Sequence, residues 1–352
     1  MGVRKAGGAR RALAREVLLA TFVWLAGQTA CGAQEQMRIL AASLSESGLV
    51  AVVRGPHVWP LSVTGELWVL DLAKREATSW LSEVKAVTPQ WRPKRREVLV
   101  AGLSRGSLLL VREPPAEAIP IEGGPPYKLP QAGWSPSGEK LAYRAFTETS
   151  GPGLYIRDFK TGGDYLVARG ARGGSIPRWS PDGRRVAFRD WDPVTQREWL
   201  VVLDLVTGRR RIVARPEGKG KDLYWVAWSP RGNLMAWAGR GWLGVLDTAS
   251  WKARTLLSGR DAWLTPTRVW SPDGSRLACQ ILEQSAPQVW VINVSRVPAG
   301  RSGLHRLTMP PKAHCFVGWR DNQTLLVHDG YRILEVDVRT AHAKAVSPPD
   351  WP

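Results

Sequence analysis

The segment Trp179-Ser180-Pro181-Asp182-Gly183 decides the fold, because it recurs along the chain. Three further copies are Trp134-Ser135-Pro136-Ser137-Gly138, Trp228-Ser229-Pro230-Arg231-Gly232 and Trp270-Ser271-Pro272-Asp273-Gly274. Degenerate copies begin at Trp91 and Trp319, and a copy that lacks the tryptophan begins at Leu44. The seven copies follow one another at spacings of 47, 43, 45, 49, 42 and 49 residues. A period of this length is the signature of a repeat architecture.

Each copy predicts a turn followed by strands. Proline fixes φ and glycine accepts a positive φ, so Pro-Asp-Gly fits a tight turn, and the tryptophan offers a large apolar face to a neighbouring sheet. After the copy at Trp179 come the apolar strand Val186-Ala187-Phe188, a strand that ends at Leu203-Asp204, and the turn Val206-Thr207-Gly208 before a last strand. Each unit is therefore predicted to be a four-stranded antiparallel meander.

The repeats together predict one all-β domain. A lone meander cannot bury both of its faces, so units of this length stack around an axis. Removing the first 33 of the 352 residues leaves 319, about 46 for each of seven units. Residues 34–352 are thus expected to form a single seven-bladed β-propeller of four-stranded antiparallel blades, with six blades as the alternative if the first repeat is irregular. The first and last units each contain all four of their strands, so ring closure is expected to depend on side-chain packing between blades 1 and 7.

The first 33 residues have the three parts of a secretory signal. Residues 1–16 are basic, residues 17–27 are apolar and uncharged, and small residues follow. The apolar run is shorter than the roughly 20 residues that a transmembrane helix needs. We therefore expect export and cleavage of this leader, and a monomeric protein outside the cytoplasm.

Cys31 stands where a bacterial lipoprotein carries its acylated cysteine. The match to that pattern is imperfect, because Gln28 occupies a position that the pattern reserves for an aliphatic residue. Two destinations stay open: a cell-envelope lipoprotein tethered to the membrane through Cys31, or a secreted or periplasmic protein cleaved after Ala33. Cys279 and Cys315 lack metal-binding spacing and are expected to be small buried hydrophobes, with a disulfide between them as the alternative.

The Trp-Ser-Pro-Asp-Gly motif, with its apolar strand and later Asp-x-x-Thr-Gly, resembles the WD-like β-propeller repeat of the TolB type. Similar repeats occur in the propellers of prolyl oligopeptidases and of the mycobacterial lipoprotein LpqB. The resemblance covers about residues 37–346. It implies a propeller that presents one face to a peptide or protein partner. It also implies that the repeat tryptophans and aspartates serve packing and turns rather than ligand binding.

The sequence contains no motif that predicts catalysis. It lacks a Gly-x-Ser-x-Gly elbow, a P-loop, an HExxH pair and a dinucleotide fingerprint, so we expect a non-catalytic protein without cofactor or bound metal. Some propeller enzymes hold a metal with histidines and carboxylates in the central channel. The nearest residues here are Asp190 and Asp192, with His57 and His328 in other blades. A metal-dependent lyase or lactonase acting on an anionic saccharide is therefore the alternative.

The charge balance predicts an anionic partner. The chain has 49 Lys and Arg against 31 Asp and Glu, a formal net charge of +18, and such a surface attracts polyanions. An exported protein would meet an acidic protein or an anionic cell-envelope component, whereas nucleic acid fits only an intracellular scaffold whose leader does not function. The segments Arg92-Pro93-Lys94-Arg95-Arg96, Arg184-Arg185 and Arg209-Arg210-Arg211 predict a basic face on the side of the Pro-Asp-Gly turns that lies against an anionic membrane or wall polymer.

The predicted binding residues lie on the opposite side, in the loops between second and third strands and between blades. Arginine and aromatic residues are enriched in the hot spots of protein interfaces. The candidates of these types, with neighbouring lysine and histidine, are Arg54, His57, Trp59, Arg144, Arg189, Trp191, Lys219, Tyr224, Arg240 and Trp263.

Overall fold

A computed structural model describes the chain from residue 37 onward, with gaps. The described ranges are 37–56, 64–85, 87–103, 108–114, 118–121, 132–147, 151–169, 176–192, 197–214, 223–239, 242–258, 262–263, 268–284, 286–294, 303–309 and 311–348. The leader and Cys31 therefore lie outside the described residues. Within these ranges the chain forms seven sheets of four antiparallel strands each, so the prediction of a seven-bladed all-β propeller is confirmed and the six-bladed alternative is wrong.

The strands follow the repeats in chain order, four to a blade. Blade 1 contains β1 (Met37–Leu44), β2 (Leu49–Pro56), β3 (Thr64–Asp71) and β4 (Glu76–Lys85), and blade 2 contains β5 (Gln90–Trp91), β6 (Glu97–Ala101), β7 (Leu108–Arg112) and β8 (Ala118–Ile121). Blade 3 contains β9 (Ala132–Trp134), β10 (Lys140–Thr147), β11 (Gly151–Asp158) and β12 (Asp164–Arg169), and blade 4 contains β13 (Arg178–Trp179), β14 (Arg185–Asp192), β15 (Arg197–Asp204) and β16 (Arg210–Ala214). Blade 5 contains β17 (Leu223–Trp228), β18 (Leu234–Gly239), β19 (Trp242–Asp247) and β20 (Ala253–Ser258), and blade 6 contains β21 (Ala262–Trp263), β22 (Arg276–Glu283), β23 (Ala286–Asn293) and β24 (Leu304–Arg306). Blade 7 contains β25 (Cys315–Trp319), β26 (Thr324–His328), β27 (Ile333–Asp337) and β28 (Ala343–Ala345).

Burial falls from the axis of the ring to its rim. The first strands of adjacent blades contact one another: β13 contacts β9 of blade 3 and β17 of blade 5. The first strands therefore surround the axis of the ring. Second strands are covered by other blades on both faces and so read as continuous apolar runs instead of alternating patterns. In β2, for example, every residue from Leu49 to Gly55 is buried, whereas every residue of β28 is exposed.

The repeat motif builds the turn between the first and second strands. Ser180 is fully buried, and its Oγ accepts a hydrogen bond from the backbone N–H of Arg185 at 2.9 Å. The same Oγ donates to the Asp182 carboxylate, whose Oδ1 also accepts from the N–H of Arg184 at 3.0 Å. Gly183 has φ of 70°, in the left-handed region that glycine adopts without steric cost. The serine hydroxyl and the aspartate carboxylate of the motif therefore both accept hydrogen bonds from the backbone of their own turn.

The repeat tryptophans join each blade to the one before it. The indole of Trp319 is fully buried and donates from Nε1 to the carbonyl of Val269 in blade 6, at 2.9 Å. The same bond to the preceding blade is made by Trp91 to Ser43, Trp179 to Gly133, Trp228 to Arg178 and Trp270 to Ala227, at 2.9 to 3.1 Å. Trp134 instead packs against Phe159, with ring centroids 5.2 Å apart. The tryptophans are therefore wedges between sheets, as their motif predicts.

Blade 2 departs from the motif, because Arg92 replaces the serine. Its side chain is buried, donates from Nε to the carbonyl of Gly138 at 2.6 Å, and pairs through Nη1 with Glu97 at 2.6 Å. The guanidinium carbon lies 4.6 Å from the ring centroid of Phe159 in blade 3. For Arg92 the prediction of a membrane-facing or wall-facing charge is therefore wrong: the arginine ties blade 2 to blade 3.

The ring closes between blades 1 and 7 by packing, as expected from the strand count. Ile39, Val50 and Leu70 of blade 1 share a buried cluster with Val317 and Leu326 of blade 7. The backbone N–H of Ile39 also donates to the carbonyl of Gly330 at 2.7 Å.

A second tie joins blade 6 to blade 1. Nη1 of Arg268 donates to the carbonyl of Ser45, 3.2 Å away, so the arginine reaches past blade 7. The seam therefore combines an apolar core with hydrogen bonds, and among the described strands none is shared between blades 1 and 7.

Aspartates end the third strands and hold the turns that follow. Oδ1 of Asp204 accepts hydrogen bonds from the backbone N–H groups of Val206 at 3.0 Å and Thr207 at 2.8 Å. These bonds lower the pKa of Asp204, because they stabilise the ionised form. Asp71, Asp247 and Asp337 make the same pair of bonds in their own blades. These carboxylates are thus turn residues.

The two described cysteines, Cys279 and Cys315, are not joined by a disulfide. Cys279 is buried in the core between blades, and burial raises the pKa of its thiol to about 12, so it behaves as a small hydrophobe. Cys315 is half-buried at the start of β25 and forms no disulfide with it. No helix within the described residues is long and hydrophobic enough to cross a membrane.

Candidate binding face

The two ends of the blades carry different kinds of residues. We call the end with the Pro-Asp-Gly turns the turn side and the opposite end, where second strands run into third strands and blades are connected, the loop side. Along each second strand the buried layers are apolar until the strand approaches the loop side. One such layer consists of Val52, Val100, Tyr143, Phe188, Trp237, Cys279 and Val327.

The next layer toward the loop side becomes polar. Its members share one register position, because each pairs with the same position of the third strand. They are Val53, Ala101, Arg144, Arg189, Ala238, Gln280 and His328. We call the four polar members, Arg144, Arg189, Gln280 and His328, the polar layer. Burying such groups costs free energy unless they are hydrogen-bonded, and unlike the buried serines of the turn side these residues differ from one blade to the next.

Blades 3 and 4 supply the cationic part of the polar layer. The Arg144 guanidinium donates to the backbone carbonyl of Arg189, so it crosses from one blade to the next. Arg189 itself is buried. Arg178 lies on the same face of blade 4, opposite Ala187, and burial lowers its pKa to about 10. Three guanidinium groups therefore lie on blades 3 and 4 near the axis.

Blades 6 and 7 supply the neutral part. His328 is only 4% exposed, and its Nδ1 has no hydrogen-bond partner among the described residues. Burial lowers the pKa of His328 to about 4, so the imidazole is neutral at physiological pH. Gln280 is buried, and its Nε2 lies 3.5 Å from the carbonyl of His314. His314 belongs to the connection that leads into blade 7.

Arg54 lies one residue farther along β2, opposite Glu66 on β3. Its side chain is buried, and burial lowers its pKa, an effect that the Glu66 carboxylate partly offsets. Glu66 in turn accepts a hydrogen bond from the indole of Trp68 at 2.7 Å. Arg54 therefore belongs to a polar cluster at the loop-side end of blade 1.

The arrangement of Asp190 bears on the metal-enzyme alternative. Its carboxylate is buried and pairs with the guanidinium of Arg210. Within the described part of the chain, histidines, cysteines and carboxylates do not gather in a group of three that could hold a metal ion. The side chain of Asp192 and the whole of His57 lie outside the described residues, so the alternative stays a prediction.

The predicted binding residues fall into three groups. Arg54, Arg144 and Arg189 lie inside second strands rather than in loops, with side chains buried or half-buried. Trp191, Tyr224 and Trp263 lie in β14, β17 and β21, where only their backbone is described. His57, Trp59, Lys219 and Arg240 fall outside the described residues. Whether any of them contacts a partner stays a prediction.

Sequence reasoning did not select Gln280 and His328 as members of one layer with the arginines. The signal was present, because each member of the layer follows the first residue of its repeat by nine or ten positions. It also missed the exposed apolar residues of the loop side. Leu103 in blade 2 is 45% exposed, Met309 between blades 6 and 7 is 62% exposed, and Tyr331 in blade 7 is 44% exposed.

Part of the predicted basic face is exposed on the turn side, whereas Arg210 and Arg185 are engaged by other side chains. Arg210 pairs with Asp190, and Arg185 stacks over the ring of Trp228 at 5.0 Å. The exposed basic residues of the turns in blades 2, 4 and 5 are Lys94, Arg95, Arg184, Arg209, Arg231 and Lys252.

Comparison with known proteins supports the fold and the origin of the repeat. No family model matches the chain. A stretch of 55 residues is 38% identical to the Tol-Pal system protein TolB of Alcanivorax borkumensis. The repeats are TolB-like. The match spans 16% of this chain and 13% of that TolB, so it extends to little more than one blade.

Solved structures match over most of the chain. A puromycin hydrolase superposes with a TM-score of 0.63 at 16% identity, covering 93% of this chain and 55% of the hydrolase. A prolyl endopeptidase gives 0.62 at 15% identity, covering 96% and 53%. An oligogalacturonate lyase in complex with manganese gives 0.54 at 15% identity, covering 89% and 97%. At these identities the likeness establishes the propeller alone, and this chain spans about half the length of the two hydrolases.

Proposed function

We propose that this protein is a non-catalytic, extracytoplasmic binding scaffold that recognises a protein partner through the loop side of its propeller. The observation that carries the proposal is the polar layer: buried or half-buried arginine, glutamine and histidine replace alanine and valine at one register position near the loop side. Arginines near the axis create a positive potential at that end, which favours an acidic surface on the partner. The TolB-like repeat adds support, since TolB belongs to the Tol-Pal system, and so does the signal-like leader.

The proposal is tested by photo-crosslinking in the native host. The photoreactive amino acid p-benzoylphenylalanine replaces Tyr331 or Leu103 on the loop side, or Val206, 68% exposed, on the turn side. We expect a protein adduct of discrete mass from at least one loop-side position and none from Val206. An adduct from Val206 alone would contradict the proposal. Adduct at neither loop-side position would also contradict it.

Export and catalysis need separate measurements. Intact-mass analysis of membrane and soluble fractions tests export: a chain that begins at Cys31 with added acyl mass identifies a lipoprotein tether, and a chain that begins at Met1 in the cytosol contradicts export. Metal analysis of the purified protein tests the alternative of a metal-dependent lyase or lactonase. Stoichiometric bound metal would favour that enzyme over the scaffold.

A second candidate role is adhesion of the turn side to an anionic component of the cell envelope. The exposed basic residues of blades 2, 4 and 5 favour this role, because each basic residue near an anionic membrane strengthens the binding free energy by up to about 1 kcal/mol. We expect binding to phosphatidylglycerol vesicles that weakens at high salt and in the variant Arg209→Gln/Arg231→Gln/Lys252→Gln. The variant Lys312→Gln/Arg332→Gln, which removes exposed charges from the loop side, is the control. Binding that high salt leaves unchanged would contradict this role.

A further inference from the structure

A rigid loop on the loop side of blade 7 presents an aromatic ring to solvent. Oδ1 of Asp329 accepts hydrogen bonds from the backbone N–H groups of Tyr331 at 3.0 Å and Arg332 at 2.8 Å. The N–H of Asp329 donates to the carbonyl of Arg332 at 3.2 Å, which closes the turn. Gly330 has φ of 95°, which suits glycine. The ring of Tyr331 is therefore exposed on a fixed backbone.

The closing seam of the propeller fixes this loop further. The carbonyl of Gly330 accepts the hydrogen bond from Ile39 of blade 1, 2.7 Å away. The guanidinium carbon of Arg38 lies over the ring of Tyr331, 5.1 Å from its centroid. The aromatic ring and the cation that stacks on it thus come from opposite ends of the chain and meet only when the ring of blades closes.

A second ordered segment adjoins this loop. Residues 311–314 lead into β25, and the carbonyl of Lys312 accepts a hydrogen bond from Nε2 of Gln288 at 2.8 Å. The backbone N–H of His314 donates to the carbonyl of Pro287 at 2.9 Å. Met309, just before this segment, exposes its side chain. Methionine adapts to irregular partners and is frequent at binding surfaces.

The backbone pairing of Cys315 with His328 places the two segments side by side, because one segment ends and the other begins next to this pair. Burial raises the pKa of Asp329, but hydrogen bonds from the backbone of Arg332 and Tyr331 and the charges of Arg332 and Lys312 outweigh that effect, so its pKa lies below the ordinary value. Asp329 is therefore ionised, and it faces inward with its oxygens engaged by the loop. Nη2 of Arg332 lies 3.5 Å from Oδ2 of Asp329, and the exposed charged side chains of the two segments, Lys312 and Arg332, are both cationic.

The seam patch is the surface formed by Tyr331 with Arg38, Lys312 and Arg332, and the exposed Met309 lies three residues before Lys312 in the chain. We infer that the seam patch docks an acidic peptide segment that carries an apolar side chain. The inference rests on the proposed function and narrows it to blades 6, 7 and 1. Large apolar side chains exposed on a rigid backbone lose little conformational entropy on binding, and aromatic residues with arginines are the usual anchors of interfaces. The three cations select acidic residues on either side of that apolar group.

The experiment is a selection of random twelve-residue peptides on the full chain, followed by affinity measurements with the selected peptides. We expect the peptides to contain Asp or Glu next to an aromatic or aliphatic residue. We expect Tyr331→Ala to weaken their binding roughly 30-fold, the size of an interface hot spot. Arg332→Gln should weaken binding about threefold at low salt and less at high salt, as for a peripheral charge.

Two control variants separate this inference from the proposed function. Leu103→Ala changes an apolar residue of similar exposure on the same side in blade 2, and Lys94→Gln removes a charge from the turn side. Both should leave the affinity unchanged. Peptides that lose affinity with Leu103→Ala but not with Tyr331→Ala would overturn the seam patch and leave the loop-side scaffold standing. Peptides that respond only to Lys94→Gln, or failure to enrich any peptide, would count against both.

Discussion

The turn ends and the loop ends of the seven blades differ in how they repeat. At the turn ends most blades use the same atoms: a serine accepts a backbone N–H, a glycine takes a positive φ and a tryptophan donates to the preceding blade. At the loop ends the equivalent position changes from valine to alanine, arginine, glutamine or histidine around the ring. The recurring residues stabilise the turns and the contacts between blades, which folding requires. The residues that vary around the ring are available for recognition.

The comparison makes its largest prediction at the tryptophan wedges. We expect Trp319→Ala to lower the free energy of unfolding by about 3–5 kcal/mol, because it empties a fully buried site and removes the bond to Val269. We expect Tyr331→Ala, an aromatic loss on the exposed loop side, to change it by less than about 0.5 kcal/mol. Urea denaturation followed by circular dichroism measures both. Equal losses would break the distinction between the two ends.

The second prediction concerns pH and the loop-side histidine. The folded-state pKa of His328 is about 4 and its unfolded value is about 6.5, so the unfolded chain binds the proton first. Stability should therefore be highest above pH 6.5 and fall by about 3 kcal/mol as the pH drops toward 4. The His314 pKa is also lowered, mainly by burial, and adds a loss of the same sign.

His328→Gln is the matched control, because glutamine occupies the same register position in blade 6. Denaturation at a series of pH values should show a shallower decline for this variant. The turn carboxylates do not confuse the result: the pKa of Asp204 and that of Asp247 are lowered by backbone hydrogen bonds, so their contribution is lost only below the ordinary aspartate value of about 3.9. Identical pH profiles for the two proteins would show that His328 is not buried as described.

The third prediction concerns the seam, where blade 7 meets a blade without the repeat tryptophan. A Cβ added at Gly318 would lie 2.9 Å from Cβ of Leu44, and both atoms are fixed to backbone. We expect Gly318→Ala to cost about 1–3 kcal/mol. Gly163→Ala, whose nearest neighbour is the exposed end of Tyr165, should cost less than about 0.5 kcal/mol. If thermal denaturation finds both variants harmless, blades 1 and 7 do not pack as closely as described.

The smallest effect is expected at the motif serines. Ser180→Ala leaves the N–H of Arg185 without its acceptor Oγ and should cost about 1–2 kcal/mol in urea denaturation. Ser82→Ala, at an exposed position of β4 in blade 1, should be close to neutral. A neutral Ser180→Ala would mean that the buried hydroxyl is not needed for the turn.

Much of the fold follows from the repeat in the sequence. The degenerate copy at Leu44 was enough to count seven blades, and the strand inventory was enough to expect closure by packing. The fate of Arg92 could not be read in the same way, because an arginine in a turn looks like surface charge. Its burial depends on Phe159 and Gly138, which only the next blade brings near.

The candidate site was less accessible from sequence. Arg144 and Arg189 were selected by residue type, but their membership in a layer with His328 appears only when second strands are compared at one register. The seam patch needs ring closure, since Arg38 and Tyr331 lie at opposite ends of the sequence. Residue type and local pattern predict elements well, whereas contacts between distant blades require the assembled ring.

The central claim, that the loop side serves recognition rather than folding, is tested most directly by the double variant Arg144→Met/Arg189→Met carrying the photo-crosslinker at the loop-side position, Leu103 or Tyr331, that gives the adduct in the parent protein. Apolar residues of similar length often replace buried charges without loss of stability. We predict an unfolding free energy within about 1 kcal/mol of the parent protein and loss of the partner adduct. A folded variant that keeps its adduct would contradict the claim. A variant that loses several kcal/mol of stability would also contradict it, because the polar layer would then stabilise the fold rather than serve recognition.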